Sequence, residues 1–565
     1  MRTHLVPRSG LRPFCAALLA LVAAPAAPGT VGIGSGIGVG IDIGVAVAAP
    51  VRPKALPADK AAQSITAAAL REHARALVDD KLAGRQPGTP GEAEAQRYLG
   101  EQLQKAGLTA AGDGGGFVQA LSLVGVRSRL VAAPTFRSLS TSIPVQIAVS
   151  TAELALHATT AVATSMLREA EMVFVGYGIT APEFQWDDYK GVDVHGKVVL
   201  LLDNDPQTNP TLFAGKARLH QGRWPFKLAE AARRGAVAAL VVHDPTASGE
   251  KFSALAAEWT GEHYLEAAAG EPPALSVRGF LTEDACRRIM QAGGQDYDVA
   301  RRGAEERGFN PITLPVRMSA RLQNQLRPLQ TGNVVGLIAG SDPHGRGAAI
   351  VFTAHADGLG TRTEESGPGK IYSGARDNAV GLAALLGLAH AARLGPPPRR
   401  TLIFAALTAQ SSDFQGARHL LAHLPAPVSK VIAHLNLDVP AVGPARAQVI
   451  QIGRGKSSLD GLFDAVAKLR KRQVVADPSP QLGLYYRSDS LRFAEAGIPS
   501  LFLGAADVQQ FLGERFGQPT DSLGADLALD ATAEDAQLMY LTALRIADSK
   551  LPPRWNPGDE FAAKK

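Results

Sequence analysis

The chain has 565 residues, which is too many for one compact hydrophobic core, so we expect two or more domains. Hydrophobic residues make up 46% and charged residues 20%, an ordinary composition for a globular protein. The formal net charge is +5, but the basic residues are scattered and the densest run is Arg470–Arg472. A nucleic-acid surface usually needs a concentrated basic face, so this charge pattern argues against a nucleic-acid partner.

The N-terminus has the pattern of a secretory signal peptide. Arginines precede an apolar run over Phe14–Ala27, and a low-complexity stretch rich in Gly, Val and Ile follows over residues 29–49. The first run is too short to cross a bilayer as a helix, and the glycines and Asp42 argue against an anchor in the second. We therefore predict a signal peptide and leader over residues 1–49, export to the periplasm or beyond, and no stable membrane span.

Cleavage of the signal peptide is expected near Ala26 or near Ala48, because small residues precede both positions. Either cut removes Cys15 and leaves Cys286 as the single cysteine. An exported protein with one thiol has no internal disulfide to stabilise it. We therefore expect its stability to come from its hydrophobic cores.

In chain order, the first predicted elements are helices. Apolar residues recur at three- and four-residue spacing from Leu70 to Leu77 and again from Tyr98 to Leu103, which predicts a largely helical segment over residues 61–106. The Gly- and Pro-rich residues 84–91 predict an irregular loop between two helices. Gly107 then provides a C-terminal stop.

A second unit begins near Met172, where short apolar runs alternate with a helical pattern. The predicted strands cover residues 173–178, 198–202 and 238–242, and the predicted helix covers residues 228–234. Strands that alternate with helices in this way indicate an α/β layer.

A third unit begins near Asn333 and alternates more regularly. Its predicted strands cover residues 334–338, 349–353, 402–407, 431–437 and 500–503, and its predicted helices cover residues 380–392, 414–423 and 459–469. The fold class predicted for the chain is therefore α/β, with a mainly parallel sheet that carries helices on both faces.

Polar side chains follow the strands of this third unit. His355 and Asp357 come after one predicted strand, Asp377 opens the apolar helix, and Asp438 comes after another strand. Because ligands gather at the carboxyl ends of strands in α/β sheets, we expect His355, Asp377 and Asp438 to converge. One imidazole and two carboxylates form a ligand set that suits zinc.

Each of these residues also has an ordinary structural explanation. A single histidine after a strand is usually structural, Asp377 could cap the following helix, and Asp438 could be a turn residue. Taken singly, the structural explanations are favoured. Only the combination, in this order, favours a metal site.

Together with their neighbours, these residues resemble metallopeptidase family 28, the co-catalytic zinc aminopeptidases. Residues 354–360 resemble the H-x-D segment of the family, residues 372–378 its G-A-x-D-N segment, and residues 436–438 its N-x-D segment. Residues 485–489 and 496–499 resemble later segments. The resemblance covers most of the chain after about residue 60.

The resemblance implies a role for each matched position. His355 and Asp438 would bind one zinc, Asp377 would bridge two zinc ions, and Asp357 would orient His355. In the family, a Glu-Glu pair supplies the general base and one ligand of the second zinc. A late histidine in a Tyr-His-x-Pro-x-Asp segment completes that second site.

This chain departs from the family around the second zinc. Gln410 and Ser411 stand where the Glu-Glu pair is expected, Gly517 stands where the late histidine is expected, and Ser490 replaces a histidine that commonly follows Ser-Asp. A glutamine amide cannot take a proton from water as a carboxylate does, and the second zinc keeps only Asp377. We therefore expect at most one tightly bound zinc and loss of the two-metal mechanism.

Two replacements for the missing groups stay open. Asp413 or His419 could reach the second metal position from the neighbouring helix, although helix-surface residues of this kind usually face solvent. Asp357 or Asp489 could serve as a weaker base on a single zinc.

The middle unit resembles a protease-associated domain inserted into the peptidase fold. Such domains are associated with gating or substrate contact, although Trp186 and Trp224 could equally be core residues. The segments that carry the resemblance are residues 176–178, 186–189, 196–198, 222–224 and 231–236.

The predicted organisation places the N-terminal part of the peptidase domain at residues 60–150, the inserted domain at residues 160–310 and the main part of the peptidase domain at residues 325–550. The first functional hypothesis is an exported metalloaminopeptidase that releases N-terminal amino acids from peptides, with activity that is reduced or lost. The alternative is a non-catalytic pseudopeptidase that binds peptides or a protein partner. Metal content distinguishes the two.

Overall fold

The computed structural model describes residues 55–210, 212–266, 275–362, 369–524 and 527–562. The predicted signal peptide and leader, with Cys15 and both expected cleavage positions, lie outside these residues. Within the described residues, Cys286 is a free and buried thiol. The described helices include none that is long and apolar enough to cross a membrane.

The α-helices of the described residues vary from one turn to 19 residues. They are Ala58–Ala62, Ala67–Leu77, Pro90–Lys105, Trp224–Arg233, Pro245–Ser248, Phe252–Trp259, Glu283–Ala292, Tyr297–Gly303, Val380–Leu394, Gln415–Ala422, Leu459–Leu469, Ser490–Glu495, Val508–Glu514 and Asp530–Asp548.

The sheet of the C-terminal half is mixed, and its four central strands are parallel. Its edge pairings are antiparallel on one side and both antiparallel and parallel on the other. In spatial order the strands are Thr109–Ala110, Ile312–Ile338, Thr401–Leu407, Ala348–His355, Lys430–Asn436, Ser500–Gly504, Gln448–Ile452 and Gln473–Ala476.

A second group of strands, from the middle of the chain, is joined to this sheet through the 27-residue strand Ile312–Ile338. That strand pairs with residues of both groups, so it continues from one into the other. In spatial order the strands of the second group are Leu154–Ala158, Val277–Leu281, Ala238–Val242, Val198–Leu202 and Thr164–Phe174.

The remaining strands are shorter or lie beside the long strand. Val118–Leu130 pairs antiparallel with Ile312–Ile338 over 13 residues and also pairs with Glu262–Glu266. The others are Thr135–Ser138, Val145–Ile147, Thr180–Ala181, Trp186–Asp187, Gly360–Arg362 and Lys370–Tyr372.

Helices cover both faces of the C-terminal sheet. The nearly all-apolar helix Val380–Leu394 packs on one face with the long helix Asp530–Asp548, because both bury leucines and alanines against the strands. Gln415–Ala422 and Val508–Glu514 pack on the other face. The predicted α/β class with helices on both faces is confirmed, and the burial of both faces explains why the strands read as continuous apolar runs.

The main differences from the predicted elements are at boundaries. The helix predicted at residues 228–234 begins four residues earlier, at Trp224, where Pro225 suits a first helical turn. The strand predicted at residues 334–338 is the end of Ile312–Ile338, whose first part alternates buried and exposed residues and carries many polar side chains. Trp186 lies in the hydrophobic core, which confirms the structural alternative for this residue rather than a role in gating or substrate contact.

Candidate metal centre

His355 is the last residue of the strand Ala348–His355 and is 5% exposed. Its Nδ1 lies 3.1 Å from the backbone oxygen of Asp357, a contact in which Nδ1–H donates. That bond directs Nε2 towards two carboxylates: Asp377 Oδ1 at 3.0 Å and Asp438 Oδ1 at 3.6 Å. The imidazole is therefore held in one orientation, with its second nitrogen facing acidic oxygens.

Asp377 lies in an irregular turn before the apolar helix. The turn begins at Gly374, whose φ of 55° and close approach to the backbone oxygen of Asp377 leave no room for a Cβ. The Asp377–Asn378 peptide bond is cis. The helix Val380–Leu394 has Ala379 as its N-cap and no side-chain cap hydrogen bond, and Asp377 Oδ1 contacts His355 Nε2 instead. Asp377 is therefore not the cap of this helix.

Two buried side chains hold this turn in place. Arg85 donates to the backbone oxygens of Ser373 at 2.7 Å and Gly374 at 3.1 Å. The Asp521 carboxylate accepts from the backbone N–H of Arg376 at 3.0 Å and of Asp377 at 3.1 Å. The position of Asp377 is thus determined by residues distant in sequence.

Asp438 follows the strand Lys430–Asn436 and is buried beside Gln410. The Gln410 amide Nε2 donates to Asp438 Oδ2 at 2.8 Å, and the Gln410 backbone N–H donates to the Asp357 carboxylate at 3.1 Å and 3.2 Å. Gln410 is therefore tied to both carboxylates, and its side chain acts as a donor at this site.

The electrostatics of the cluster favour a positive charge at its centre. Burial opposes protonation of His355, but hydrogen bonds to Asp357, Asp377 and Asp438 outweigh it and hold the pKa of His355 well above its usual value. Burial and the nearby Asp438 and Asp357 raise the pKa of Asp489 to about 8, although the charge of His355 opposes this shift. Either a proton or a metal cation can supply the charge that these carboxylates require.

The donor set fits zinc. The ligand atoms of His355, Asp377 and Asp438 all lie within 4.8 Å of one another. Two ligands at about 2.0–2.1 Å from a tetrahedral zinc are separated by about 3.3 Å, and the observed separations of 3.0 Å and 3.6 Å lie on either side of that value. One imidazole and two carboxylates also match three-ligand zinc sites that leave one position open.

The other side of Asp377 offers few ligands. Ser411 and Gly517 line the same cavity as His355 and Asp377, a space of about 180 Å³. Ser411 is exposed, and Gly517, at a φ of 64°, has only Leu359 within 4 Å of where its Cβ would be. Among the described residues, the sole cluster of three or more His, Cys, Asp or Glu ligands is His355 with Asp377 and Asp438.

The two open replacements do not join this cluster. Asp413 lines the cavity but forms ion pairs with Arg418 and Arg492, and His419 packs its ring on His423 with centroids 4.3 Å apart. Of the two alternative bases, Asp357 lines the cavity and accepts from Gln410. Asp489 is buried, and one of its carboxylate oxygens lacks a hydrogen-bond partner within the described part of the chain.

Residues 333–541, which contain His355, Asp377, Asp438 and Gln410, match the sequence model of Peptidase family M28. Over these residues, called the M28 region below, the chain resembles peptidase family M28. The M28 region includes the four parallel central strands and the helices on both faces of the sheet. No curated protein matches the chain in sequence.

Solved structures similar to this chain include aminopeptidases. The aminopeptidase from Aneurinibacillus sp. strain AM-1 is 17% identical with a TM-score of 0.51, and the match covers 88% of this chain and 97% of that one, which shows a shared fold. BSAP, a zinc aminopeptidase from Bacillus subtilis, is 17% identical with a TM-score of 0.43 and coverages of 85% and 95%. A peptidase M28 precursor from Shewanella amazonensis SB2B is 16% identical with a TM-score of 0.44 and coverages of 88% and 97%.

Sequence reasoning missed the residues that support the candidate metal centre from a distance. Arg85 lies in the loop that composition predicts as merely irregular, yet it is fully buried and reaches the backbone beside Asp377. Asp521 lies in the segment where the family has its late histidine, but the resemblance singles out only Gly517, at the histidine position itself. A signal for Arg85 exists in the preceding Gly84, where an added Cβ would meet the backbone oxygens of Gly360 and Tyr372 at 2.5 Å and 2.6 Å.

Proposed function

We propose that this chain is an exported M28 peptidase-family protein that holds one zinc ion and binds peptides, with aminopeptidase activity reduced or lost. The observation that carries the proposal is the 2.8 Å hydrogen bond from the Gln410 amide to Asp438. At the position where the family places its general base, this chain has a donor that is engaged with a proposed zinc ligand.

His355, Asp377 and Asp438 are the residues that would hold the zinc. A bound zinc ion would supply a Lewis acid able to polarise a peptide carbonyl. The hydrogen bond from His355 Nδ1 to the Asp357 backbone oxygen fixes the tautomer that presents Nε2, and the Gln410 and Asp357 contacts fix the two neighbouring carboxylates. These contacts support one ordered site.

The loss of base catalysis follows from the chemistry of Gln410. An amide nitrogen that donates to Asp438 has no basic lone pair to take a proton from water, and general-base assistance is typically worth about 10² to 10⁴ in rate. Ser411 and Gly517 leave the second metal position with Asp377 alone, so the clamp between two ions is also missing. Degraded catalysis with a retained pocket supports the alternative, a pseudopeptidase that binds peptides without cleaving them.

The middle unit contributes to the same cavity as the M28 site. Trp224, Trp259 and Arg223 line it together with His355 and Asp377. This shared lining supports our proposal that residues 160–310 form an inserted protease-associated domain that contacts the peptide. Trp224 is therefore a cavity residue as well as a packing residue.

The test of the proposed function compares the wild-type protein with a triple variant that restores the family residues, Gln410→Glu, Ser411→Glu and Gly517→His. We expect little or no hydrolysis of aminoacyl anilides by the wild type, and the triple variant should gain activity and bound zinc together. Robust wild-type hydrolysis that survives removal of Asp413, His419 and Asp489 would refute the proposal.

Export has a separate test. N-terminal sequencing of the mature protein should begin after Ala26 or near Ala48. Recovery of Met1 from a soluble cytoplasmic fraction would contradict export.

A further inference from the structure

Arg223 is a buried arginine for which the described part of the chain offers no hydrogen-bond or ion-pair partner. It is 9% exposed and lines the cavity that contains the M28 site. Its side chain forms no hydrogen bond or ion pair with any residue in the described ranges, and its Nε is fully enclosed. An unpaired buried charge is costly, so natural proteins rarely retain one without a reason.

Asp203 and Glu250, the acidic residues whose charges act on Arg223, are already engaged with other arginines. Asp203 lies 3.6 Å from the Arg218 guanidinium, which also donates to Asn204 Oδ1 at 3.0 Å, and Glu250 forms an ion pair with Arg487. Arg218 and Arg487 on this wall therefore have partners, whereas Arg223 has none among the residues that the structure describes. Burial and then the positive charges of Arg218 and Arg487 hold the pKa of Arg223 well below its ordinary value.

A helix begins at the same place. Arg223 is the N-cap of the ten-residue helix Trp224–Arg233, and no side chain caps the helix. Trp224 and Pro225, the first two residues of the helix, also line the cavity. The N-terminal end of a helix carries a partial positive charge and attracts anions.

We propose that Arg223 and the N-terminus of helix Trp224–Arg233 form a subsite for a carboxylate of the bound peptide. This inference rests on the proposed function, because it takes the ligand of the cavity to be a peptide. His355 and Asp377 line the same cavity as Arg223, so one ligand can present a peptide bond to the triad and a carboxylate to the arginine. A guanidinium binds a carboxylate through two parallel hydrogen bonds, which an amide of similar shape cannot reproduce.

The carboxylate could be the C-terminus of the peptide or an acidic side chain, and four peptides distinguish these two sources. Their binding is measured by calorimetry on the mature chain after zinc has been removed with a chelator. They are Ala-Ala-Ala, its C-terminal amide, Ala-Glu-Ala amide and Ala-Gln-Ala amide. Loss of about tenfold in affinity on amidation identifies a C-terminal carboxylate, and a similar loss from Glu to Gln identifies an acidic side chain. Equal affinities within both matched pairs would overturn the proposal.

Variants assign the effect to Arg223. Arg223→Gln should abolish the preference for the carboxylate peptide, and Arg223→Lys should retain part of it. Arg288→Gln is the matched control, because Arg288 lies in the same unit, pairs with Glu153 and does not line the cavity. A preference that persists in Arg223→Gln would overturn the assignment.

Thermal unfolding gives a second readout. Because Arg223→Gln removes an unpaired buried charge, we expect its melting temperature to equal or exceed that of the wild type. The carboxylate peptide should raise the melting temperature of the wild type but not of the variant. If Arg223→Gln fails to fold, the peptide pairs and the Lys variant still decide the question.

The two proposals fail separately. Zinc bound at His355 without any carboxylate preference would remove only the subsite. A carboxylate preference in a protein that binds no zinc would remove only the proposed metal function.

Discussion

The two sides of the candidate metal centre differ in how their residues are supported. We name His355, Asp357 and Asp438 the retained side, and Gln410, Ser411 and Gly517 the altered side. The retained side is buried, and within it His355 Nδ1 donates to the backbone oxygen of Asp357 at 3.1 Å. The altered side has an exposed serine, a glycine without a side chain, and a glutamine that donates to the retained side.

This difference supports our proposal that the position of one zinc is kept while the ligands of a second are replaced. Asp377, between the two sides, is held by Arg85 and Asp521, which belong to neither. The strand ends that carry His355 and Asp438 are fixed by the sheet itself. The positions of His355, Asp377 and Asp438 are therefore set by the sheet, by Arg85 and Asp521, and by the Gln410 contact to Asp438 rather than by Ser411 or Gly517.

The largest expected effect comes from breaking the retained side. His355→Ala should reduce zinc from one equivalent to almost none, with affinity weakened by more than about 100-fold, because it removes a direct ligand rather than a supporting residue. Zinc titration with a competing chelator measures the change. Asp413→Asn is the control, since Asp413 lines the cavity but is paired with arginines. Equal loss in both variants would contradict the assignment of the retained side.

A smaller loss is expected when the support of Asp377 is weakened. Asp521→Asn keeps the shape but replaces one of two acceptor oxygens, so one backbone N–H of the turn loses its partner. We expect zinc affinity to fall by about 10- to 100-fold. Asp342→Asn provides a matched control, because Asp342 also accepts a backbone N–H, from His344, but outside the cavity. Unchanged affinity in Asp521→Asn would mean that the turn is held by other contacts.

The pH dependence of stability tests the buried carboxyl of Glu92, which accepts a hydrogen bond from Thr408, two residues before Gln410. Burial raises the pKa of Glu92 to about 7, even though Thr331, Thr408 and the backbone of Gly88 donate to its carboxylate. Since the folded state holds the Glu92 proton more tightly than the unfolded state, its contribution to stability is present below about pH 4.5 and is lost as pH rises through about 7.

Glu92→Gln should remove this dependence, so the variant should gain about 1–3 kcal/mol relative to the wild type between pH 5 and pH 8. Denaturant unfolding at each pH measures the difference. Glu101→Gln, an exposed change on the same helix, should leave the pH profile as it is. A wild-type profile identical to that of Glu92→Gln would show that Glu92 titrates normally.

The smallest effect concerns the backbone of the altered side. At a φ of 64°, Gly517 adopts a left-handed conformation that disfavours side chains, although space is available. Gly517→Ala should lower the free energy of unfolding by about 1 kcal/mol. Gly461→Ala, in open space within helix Leu459–Leu469, should raise it by a similar amount. Destabilisation by both substitutions would indicate that steric packing, rather than backbone conformation, determines the change in stability at Gly517.

The fold of the M28 region could be predicted because each of its central strands and helices is a nearly continuous apolar run. Val380–Leu394 and Thr401–Leu407 are examples in which sequence pattern and burial coincide. The first part of Ile312–Ile338 was not predicted as strand, because it pairs through backbone hydrogen bonds while half its side chains stay exposed and polar. Strand pairing over 13 residues outweighs the weak apolar signal there.

The convergence of His355, Asp377 and Asp438 could be predicted because parallel strands bring their carboxyl ends to one edge. The supporting roles of Arg85 and Asp521 could not, since each contacts the turn through backbone oxygens or backbone N–H groups that carry no sequence signature. The role proposed for Arg223 could not be predicted from sequence either. It depends on the lack of a partner among the described residues, and this is seen only once Arg218 and Arg487 are found paired with the nearby carboxylates.

The most direct test of the account is the number of zinc ions bound by the purified wild-type protein. Native mass spectrometry and elemental analysis of protein dialysed against zinc would give this number independently of any activity. We predict one zinc per chain, held by His355, Asp377 and Asp438, and a second zinc only after Gln410→Glu, Ser411→Glu and Gly517→His are combined. Two tightly bound zinc ions in the wild type, or none, would contradict the account.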